Sequence, residues 1–254
     1  MSVDLELALQ LADVADALSL GRFRTGIPVE TKPDLTPVTE ADRAVEAEIR
    51  RLLDAARPDD AVLGEEQGSS GRGSRRWIVD PIDGTRNYAR GVPVWATLIA
   101  LEESGSVRLG VASAPALRRR WWAERGEGAF ANGDRIAVSS VARMEDAVVS
   151  FAHENADPEI ARRAWHVRGF GDFWAHMLVA EGAVDGAVDA TGVNEWDLAA
   201  VQVIVEEAGG RFSDFQGVSR IDGGAAVTSN GLLHAELLGA VGTKAGSALD
   251  RVLP

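Results

Sequence analysis

The chain has 254 residues, 46% of them hydrophobic, which is enough for one large domain or two closely packed ones. A formal net charge of −13 disfavours nucleic acid or an anionic membrane as a partner of its surface. The chain has no cysteine, no run of about 18 apolar residues and no signal-peptide pattern, so we expect a cytoplasmic protein without disulfides, thiolate metal sites or a transmembrane helix.

The first elements in chain order are two predicted helices and two short strands. Apolar residues at helical spacing predict a helix over residues 4–20 and a second one that ends near Pro58. The stretch TKPDLTPVT between them holds two prolines and is expected to be a loop. Short strands are predicted at AVLGEE, which stops at Gly64, and at residues 77–79, with a flexible QGSSGRGS loop between them.

Further strands and three helices follow. VPVWATLIALEE and SVRLGVASAP predict two strands, and a hairpin-rich stretch with turns at Gly126 and Asn132-Gly133 comes next. From about residue 145, the strands AVVSFAH, AVDGAVDA and AAVTSN alternate with the helices DFWAHMLVAEG, DLAAVQVIVEEAGG and LLHAELLGAV. The pattern predicts a mixed α/β protein with an N-terminal half over 1–145 and a C-terminal half over 146–254.

Two acids at the end of a buried strand are the first candidates for a metal site. In WIVDPIDGTRNYARG, Asp80 and Asp83 flank a proline, Gly84 lets a ligand come close, and Thr85 can begin a short helix. With four histidines and no cysteine in the chain, oxygen ligands and a hard cation such as Mg²⁺ are favoured. Taken alone, Asp83-Gly84 fits an ordinary turn equally well.

Acids elsewhere in the chain also stand at the ends of predicted elements. Glu65 and Glu66 follow a strand, and Asp197 begins a strongly apolar helix. Each has a simpler interpretation, a solvated pair on a loop for the glutamates and an N-cap for Asp197. Together with Asp80 and Asp83 they indicate a metal site assembled in a cleft.

These stretches resemble the inositol monophosphatase family of Mg²⁺-dependent, Li⁺-sensitive phosphatases. The resemblance rests on GEE, DPIDGTRNY and WDLAA, and on KPDLTPVTEAD and GEGAFANGDRI. It implies a layered αβαβα sandwich, usually a homodimer. It also implies two or three Mg²⁺ ions per active site, a small phosphate-ester substrate, and inhibition by Li⁺ and Ca²⁺.

The resemblance assigns roles to individual residues. Glu65, Asp80 and the carbonyl of Ile82 would hold one metal ion, and Asp80, Asp83 and Asp197 a second. Thr85 and Glu65 would orient the attacking water, with Asp42 supporting Thr85. Asp42 fits a capping box with Thr39 equally well. Asp83 and the backbone of Gly84 and Thr85 would contact the substrate and its phosphate.

The substrate segment departs from the inositol pattern. In VRGFGDFWAHMLVAEGAVD, Gly171 matches, but Asp172, Phe173 and Trp174 replace the small residues of an inositol enzyme. This segment is similar to the branch of the family that hydrolyses histidinol phosphate. Asp172 could pair with the amine of that substrate, and Phe173 and Trp174 could stack on its imidazole, whereas a helix cap is an equal interpretation of Asp172.

The sequence does not decide which other residues contact the substrate. The family often carries a substrate-reading acid seven residues before Asp197, where this chain has Ala190 with Asp189 beside it. His153 and His166 are interpreted as ordinary surface histidines. Rival substrates are inositol-1-phosphate, fructose bisphosphate and phosphoadenosine phosphate. A non-enzymatic dimer is disfavoured because the reactive positions are intact.

Overall fold

The computed structural model describes residues 1–26, 28–31, 37–151, 158–189 and 192–248. The helices in these ranges are α1 (Val3–Arg22), α2 (Glu40–Ala56), α3 (Thr85–Arg90), α4 (Pro158–Arg163), α5 (Asp172–Ala180), α6 (Glu195–Glu207) and α7 (His234–Ala248). The strands are β1 (Val29–Thr31), β2 (Pro37–Thr39), β3 (Ala61–Gly64), β4 (Gly68–Ser70), β5 (Arg75–Asp83), β6 (Ala96–Glu103), β7 (Ser106–Ala114), β8 (Arg119–Glu124), β9 (Gly128–Ala131), β10 (Asp134–Arg135), β11 (Val148–Phe151), β12 (His166–Arg168), β13 (Gly186–Asp189), β14 (Arg211–Ser213) and β15 (Ala226–Ser229).

Five layers are stacked in the order α, β, α, β, α. Helices α1 and α2 cover one face of an eight-stranded sheet of order β10-β9-β8-β7-β6-β5-β3-β4. Helices α5 and α6 fill the space between this sheet and a five-stranded sheet of order β12-β11-β13-β15-β14. Helices α4 and α7 cover the outer face of the smaller sheet. The predicted αβαβα sandwich is confirmed.

The two sheets are built from separate stretches of sequence. All strands of the larger sheet precede residue 136, and those of the smaller sheet lie between residues 148 and 229. The division into halves at residue 145 stays a prediction. No helix in the described ranges is long and apolar enough to span a membrane.

Several short elements differ from the sequence prediction. The Gly/Ser stretch expected to be a loop contains β4, which pairs antiparallel with β3. The proline-containing loop after α1 begins and ends in the paired strands β1 and β2, and residues 32–36 lie outside the described ranges. Helix α4 and strands β12 and β14 were not predicted, because they have only three to six residues each and show no clear apolar period.

Strand β5 carries the predicted acids through the centre of the protein. Trp77 and Val79 face the core under α1 and α2, whereas Ile78 faces the core under α5 and α6. Between Asp80 and Asp83, β5 has one residue more than the facing part of β6, and this extra residue forms a β-bulge. Residues three apart on a regular strand would point to opposite faces, so the bulge is what lets both carboxylates reach one cavity.

Helix α2 fixes the turn that follows β3. Glu46 is fully buried, pairs with Arg50 at 2.8 Å, and accepts the backbone N–H groups of Glu66 (2.7 Å) and Gln67 (3.0 Å). A Cβ at Gly64 would lie 2.3 Å from Glu46 Oε1, so this position requires glycine. The carboxylate of Glu46 thereby fixes the turn that carries Glu65.

Candidate active site

A cavity of about 560 Å³ opens where β5, α3, α5 and α6 meet. All predicted site residues except Asp42 line it, namely Glu65, Asp80, Ile82, Asp83, Gly84, Thr85, Gly171, Asp172, Phe173, Asp189 and Asp197. Asp42 is fully buried behind the wall and contacts Thr85. The structure thus brings together residues that the sequence spreads over more than half of the chain.

Three carboxylates form a tight cluster at the cavity wall. Asp80 and Asp83 on β5 and Asp197 in the first turn of α6 present oxygen atoms that all lie within 4.8 Å of one another. Asp197 is not the N-cap of its helix. Asn194 occupies that position, and its N–H donates to Asp197 Oδ2 at 2.6 Å.

Burial and like charges disfavour ionisation of this cluster. Burial raises the pKa of Asp80 well above its ordinary value, and the charges of Glu65 and Asp83 add to the effect. The pKa of Asp83 is raised in the same way by burial and by Asp172 and Asp197. For Asp197, burial raises the pKa to about 6 although the Asn194 N–H acts in the opposite direction. A hard divalent cation fits this set of close oxygen donors, because it supplies the positive charge that favours their ionised form.

Thr85 is held between two acceptors. Its hydroxyl lies 2.9 Å from the carbonyl oxygen of Ile82 and 3.2 Å from Asp42 Oδ1. The other Asp42 oxygen accepts the Thr39 N–H at 2.8 Å and the Thr39 hydroxyl, completing the predicted capping box of α2. The capping box is therefore confirmed on one carboxylate oxygen, whereas the support of Thr85 by the other oxygen is a contact whose role in catalysis stays a prediction. Burial raises the pKa of Asp42, and the hydrogen bonds from Thr39 and Thr85 oppose this.

Gly84 makes the turn into α3 possible. Its φ is +85°, and a Cβ there would lie 3.1 Å from the Val94 carbonyl oxygen and 3.3 Å from Asp172 Oδ2. Thr85 is the first residue of α3, as predicted. The backbone can consequently approach a ligand closely at this point.

Helix α5 brings Asp172 to the cavity. The Asp172 side chain does not cap the helix. Asn87 Nδ2 lies 3.3 Å from its Oδ2, and the N-cap position belongs to Gly171. With φ of +54°, Asp172 adopts a left-handed backbone conformation that is unusual for a residue other than glycine. The following N–H, that of Phe173, donates to Asp83 Oδ2 at 2.5 Å, which ties the start of α5 to the acidic cluster.

The ring of Phe173 is part of the core. The residue is 1% exposed, and its ring packs edge-on against Trp121 with centroids 6.0 Å apart. Trp174 packs against Phe170 at 4.8 Å. The expectation that aromatic rings at 173 and 174 stack on a substrate is therefore corrected, because the Phe173 ring is buried in the core and Trp174 is not part of the cavity wall. Phe173 contributes its backbone N–H to the site instead.

His176 is a cavity residue that the sequence reasoning missed. It is 2% exposed, lies four residues after Asp172 on α5, and has Nε2 3.3 Å from Asp189 Oδ2. The helical spacing from Asp172 was the one signal that could have indicated it. His166 is exposed on β12 and is not part of the cavity wall, in agreement with its interpretation as a surface residue. His153 lies outside the described residues.

Comparisons with known proteins agree with this geometry. The model of the inositol monophosphatase family matches residues 1–245. A histidinol-phosphatase of Mycobacterium tuberculosis is 54% identical over 251 residues, covering 92% of this chain and 96% of that protein. A histidinol-phosphatase of Streptomyces coelicolor is 49% identical over 257 residues, covering 93% and 96%. A solved structure of an IMPase from Thermotoga maritima matches with a TM-score of 0.89 at 33% identity, covering 97% of this chain and 99% of its own.

Proposed function

Because this chain belongs to the inositol monophosphatase family, we propose that it is a metal-dependent phosphomonoesterase whose substrate is histidinol phosphate. The reaction releases inorganic phosphate and histidinol. The similarity to two histidinol-phosphatases over more than nine-tenths of the chain supports this substrate.

The charge of the cavity is the observation that carries the proposal. Six carboxylate residues line it in the described part of the chain: Glu65, Asp80, Asp83, Asp172, Asp189 and Asp197. Glu65, Asp80, Asp83 and Asp197 are the proposed metal ligands. Asp172 and Asp189 remain, Arg86 is the one arginine that also lines the cavity in the described part of the chain, and the remaining excess of acids suits a phosphate ester that carries a cationic amine. Inositol hydroxyls can donate hydrogen bonds to these carboxylates, but inositol carries no positive charge to pair with them.

The metal ligands proposed for Mg²⁺ are Glu65, Asp80, Asp83, Asp197 and the carbonyl of Ile82. When bound, Mg²⁺ ions would neutralise the negative charge of the phosphate group and lower the pKa of the water that attacks phosphorus, in line with the leaving alcohol. Asp80 is the ligand common to both ions in this assignment. The close approach of the Asp80, Asp83 and Asp197 oxygens supports such sharing.

The residues of the chain position the attacking water. Thr85 has a single hydroxyl proton, which it can give to either the Ile82 carbonyl or Asp42. When the proton goes to Asp42, the Thr85 oxygen keeps its lone pairs for a hydrogen bond from water. Glu65 lies in the same cavity and is the second group proposed to orient that water. The turn at Gly84 lets backbone N–H groups approach the phosphate oxygens.

The substrate is tested by comparing three esters. We expect the highest kcat/KM with histidinol phosphate, a lower value with inositol-1-phosphate, and the lowest with glycerol-2-phosphate, whose small alcohol part carries no charge, all in Mg²⁺. Activity should disappear with a chelator and return with Mg²⁺. A preference for inositol-1-phosphate would refute the substrate and keep the phosphatase, whereas full activity in the chelator would refute both.

The remaining features of the family are proposed for this chain in the same way. We propose a cytoplasmic homodimer with two or three Mg²⁺ ions per active site, inhibited by Li⁺ and by excess Ca²⁺. Ca²⁺ tolerates a larger and less regular ligand shell than Mg²⁺, which weakens the alignment of the reacting groups. Sedimentation of the purified chain tests the dimer, and titration of the two cations against Mg²⁺-dependent phosphate release tests the inhibition.

A further inference from the structure

A line of hydrogen bonds leads from the smaller sheet to the cavity. His176 Nδ1 lies 2.8 Å from the hydroxyl of Thr228, and His176 Nε2 lies 3.3 Å from Asp189 Oδ2. Thr228, on β15, is fully buried, whereas the Asp189 side chain is 13% exposed and lines the cavity. The line thus begins in the core and ends at the surface that meets the substrate.

The direction of each hydrogen bond follows from the chemistry of the groups. An ionised carboxylate can only accept, so the proton of this pair lies on Nε2 of His176. In the neutral ring, Nδ1 is then an acceptor, and the hydroxyl of Thr228 is the donor that it faces. Asp189 thus sets the tautomer of His176, and the Thr228 hydroxyl, by donating to Nδ1, holds the ring in the orientation that reaches Asp189.

Neighbouring elements fix both ends of this line. Strands β13 and β15 pair antiparallel, with Ala187 opposite Thr228 and Asp189 opposite Ala226, so the two side chains are set by one sheet. His176 comes from α5, which packs on both strands. An Asp189 carboxylate fixed through one oxygen is presented to the cavity in a single orientation, which is what recognition of a charged group requires.

We infer that Thr228, acting through His176, orients Asp189 to receive the cationic amine of the substrate. Thr228 and His176 are positioning residues in this arrangement, and Asp189 makes the contact. The inference rests on the proposed function, since a substrate without a positive charge would gain nothing from the orientation. Asp172, one helical turn before His176, borders the same space and adds to its negative charge.

Thr228→Val tests the inference, because valine keeps the shape and removes the hydroxyl. We expect the ratio of kcat/KM for histidinol phosphate to that for glycerol-2-phosphate to fall about 2- to 12-fold, mainly through KM, because this is the contribution of one neutral hydrogen bond. Thr228→Ser returns the hydroxyl and should restore the ratio. Ser213→Ala is the matched control, because Ser213 is the 2.8 Å partner of another buried histidine, His234, which is not part of the cavity wall.

Each result has a defined meaning. An equal loss on both esters with Thr228→Val, or a serine variant as defective as the valine variant, would overturn the inference and leave Thr228 a packing residue. An unchanged ratio would overturn it as well. Failure of the proposed function is distinct, because the unsubstituted protein itself would then show no preference for histidinol phosphate.

Discussion

Asp42→Asn separates the two hydrogen-bonding roles of one buried carboxylate. The asparagine amide oxygen can still accept the Thr39 N–H and keep the cap of α2, but an NH₂ group then faces Thr85 in place of Oδ1. Thr85 must accept from this NH₂ group and give its proton to the Ile82 carbonyl. One of the two lone pairs of the Thr85 oxygen is consequently occupied, so the attacking water can be held at one acceptor position instead of two.

The expected magnitude follows from the bond that is lost. A hydrogen bond to a charged group contributes roughly 1.5–3 kcal/mol, so kcat should fall about 10- to 150-fold. KM should change little, because phosphate and metal are held by other groups. The free energy of unfolding should fall by less than the ~1 kcal/mol typical of a deleted cap, because the capping oxygen is kept.

Steady-state kinetics and urea unfolding on four variants test this reasoning: Asp42→Asn, Thr39→Ala, Thr85→Ala and the double variant of Asp42→Asn with Thr85→Ala. Thr39→Ala is the control. It removes the hydroxyl that caps Ala41 and donates to Asp42 Oδ2, but it leaves Asp42 Oδ1 facing Thr85, so it should cost about 1 kcal/mol of stability or more with most of kcat retained. In a Thr85→Ala background, Asp42→Asn should have no further effect on kcat, since the hydroxyl it acts through is gone. Wild-type turnover in Asp42→Asn, or an equal loss of turnover in both backgrounds, would refute the reasoning.

Three further predictions concern the metal, the substrate and the pH dependence of folding. Asp80→Asn should abolish nearly all Mg²⁺-dependent phosphate release while circular dichroism shows an intact fold, and substantial turnover would exclude Asp80 as the shared ligand. Asp172→Ala should lower kcat/KM for histidinol phosphate about 10- to 150-fold and affect glycerol-2-phosphate far less, whereas equal losses would make Asp172 a purely structural residue. Burial and nearby Arg211 lower the pKa of His234 from 6.5 to about 4, so between these two pH values the unfolded chain binds a proton that the folded protein does not bind. The resulting stability is complete above pH 6.5 and is lost as the pH falls towards 4, by up to about 3 kcal/mol in urea unfolding, and His234→Gln should remove this part of the pH dependence. An unchanged pH profile in that variant would contradict the assignment.

The acidic cluster could be predicted from the sequence because two of its members stand in one short motif and the resemblance to the family added the third. Asp80 and Asp83 follow an apolar strand, and Asp197 was joined to them through the WDLAA stretch, whereas the bulge that brings Asp80 and Asp83 to one cavity was not predicted. His176 gave no such signal, since its role depends on Asp189 and Thr228, which approach it only when β13 and β15 pair. A buried histidine among apolar helix residues resembles many core positions, and only the folded chain shows its partners.

Short strands and aromatic side chains were also beyond sequence reasoning. Strand β4 pairs with β3 through backbone groups alone, so its Gly and Ser residues carry no apolar alternation. Phe173 stands beside an acid in the sequence, which favoured a role in the pocket. Its ring instead enters the core against Trp121, because the left-handed conformation of Asp172 sets the direction in which α5 begins. Backbone conformations of this kind are set by tertiary contacts.

Helix α2 supports two of the groups that are proposed to orient the attacking water. Asp42 and Glu46 lie four residues apart on one face of the helix, and they bond Thr85 and the turn that carries Glu65 respectively. A displacement of α2 would therefore withdraw both supports at once, whereas the attachment of Thr85 and Glu65 to β5, through the Ile82 and Val79 carbonyl groups, would remain. Looser packing of α2 should consequently impair the orientation of the water before it disturbs the acids on β5.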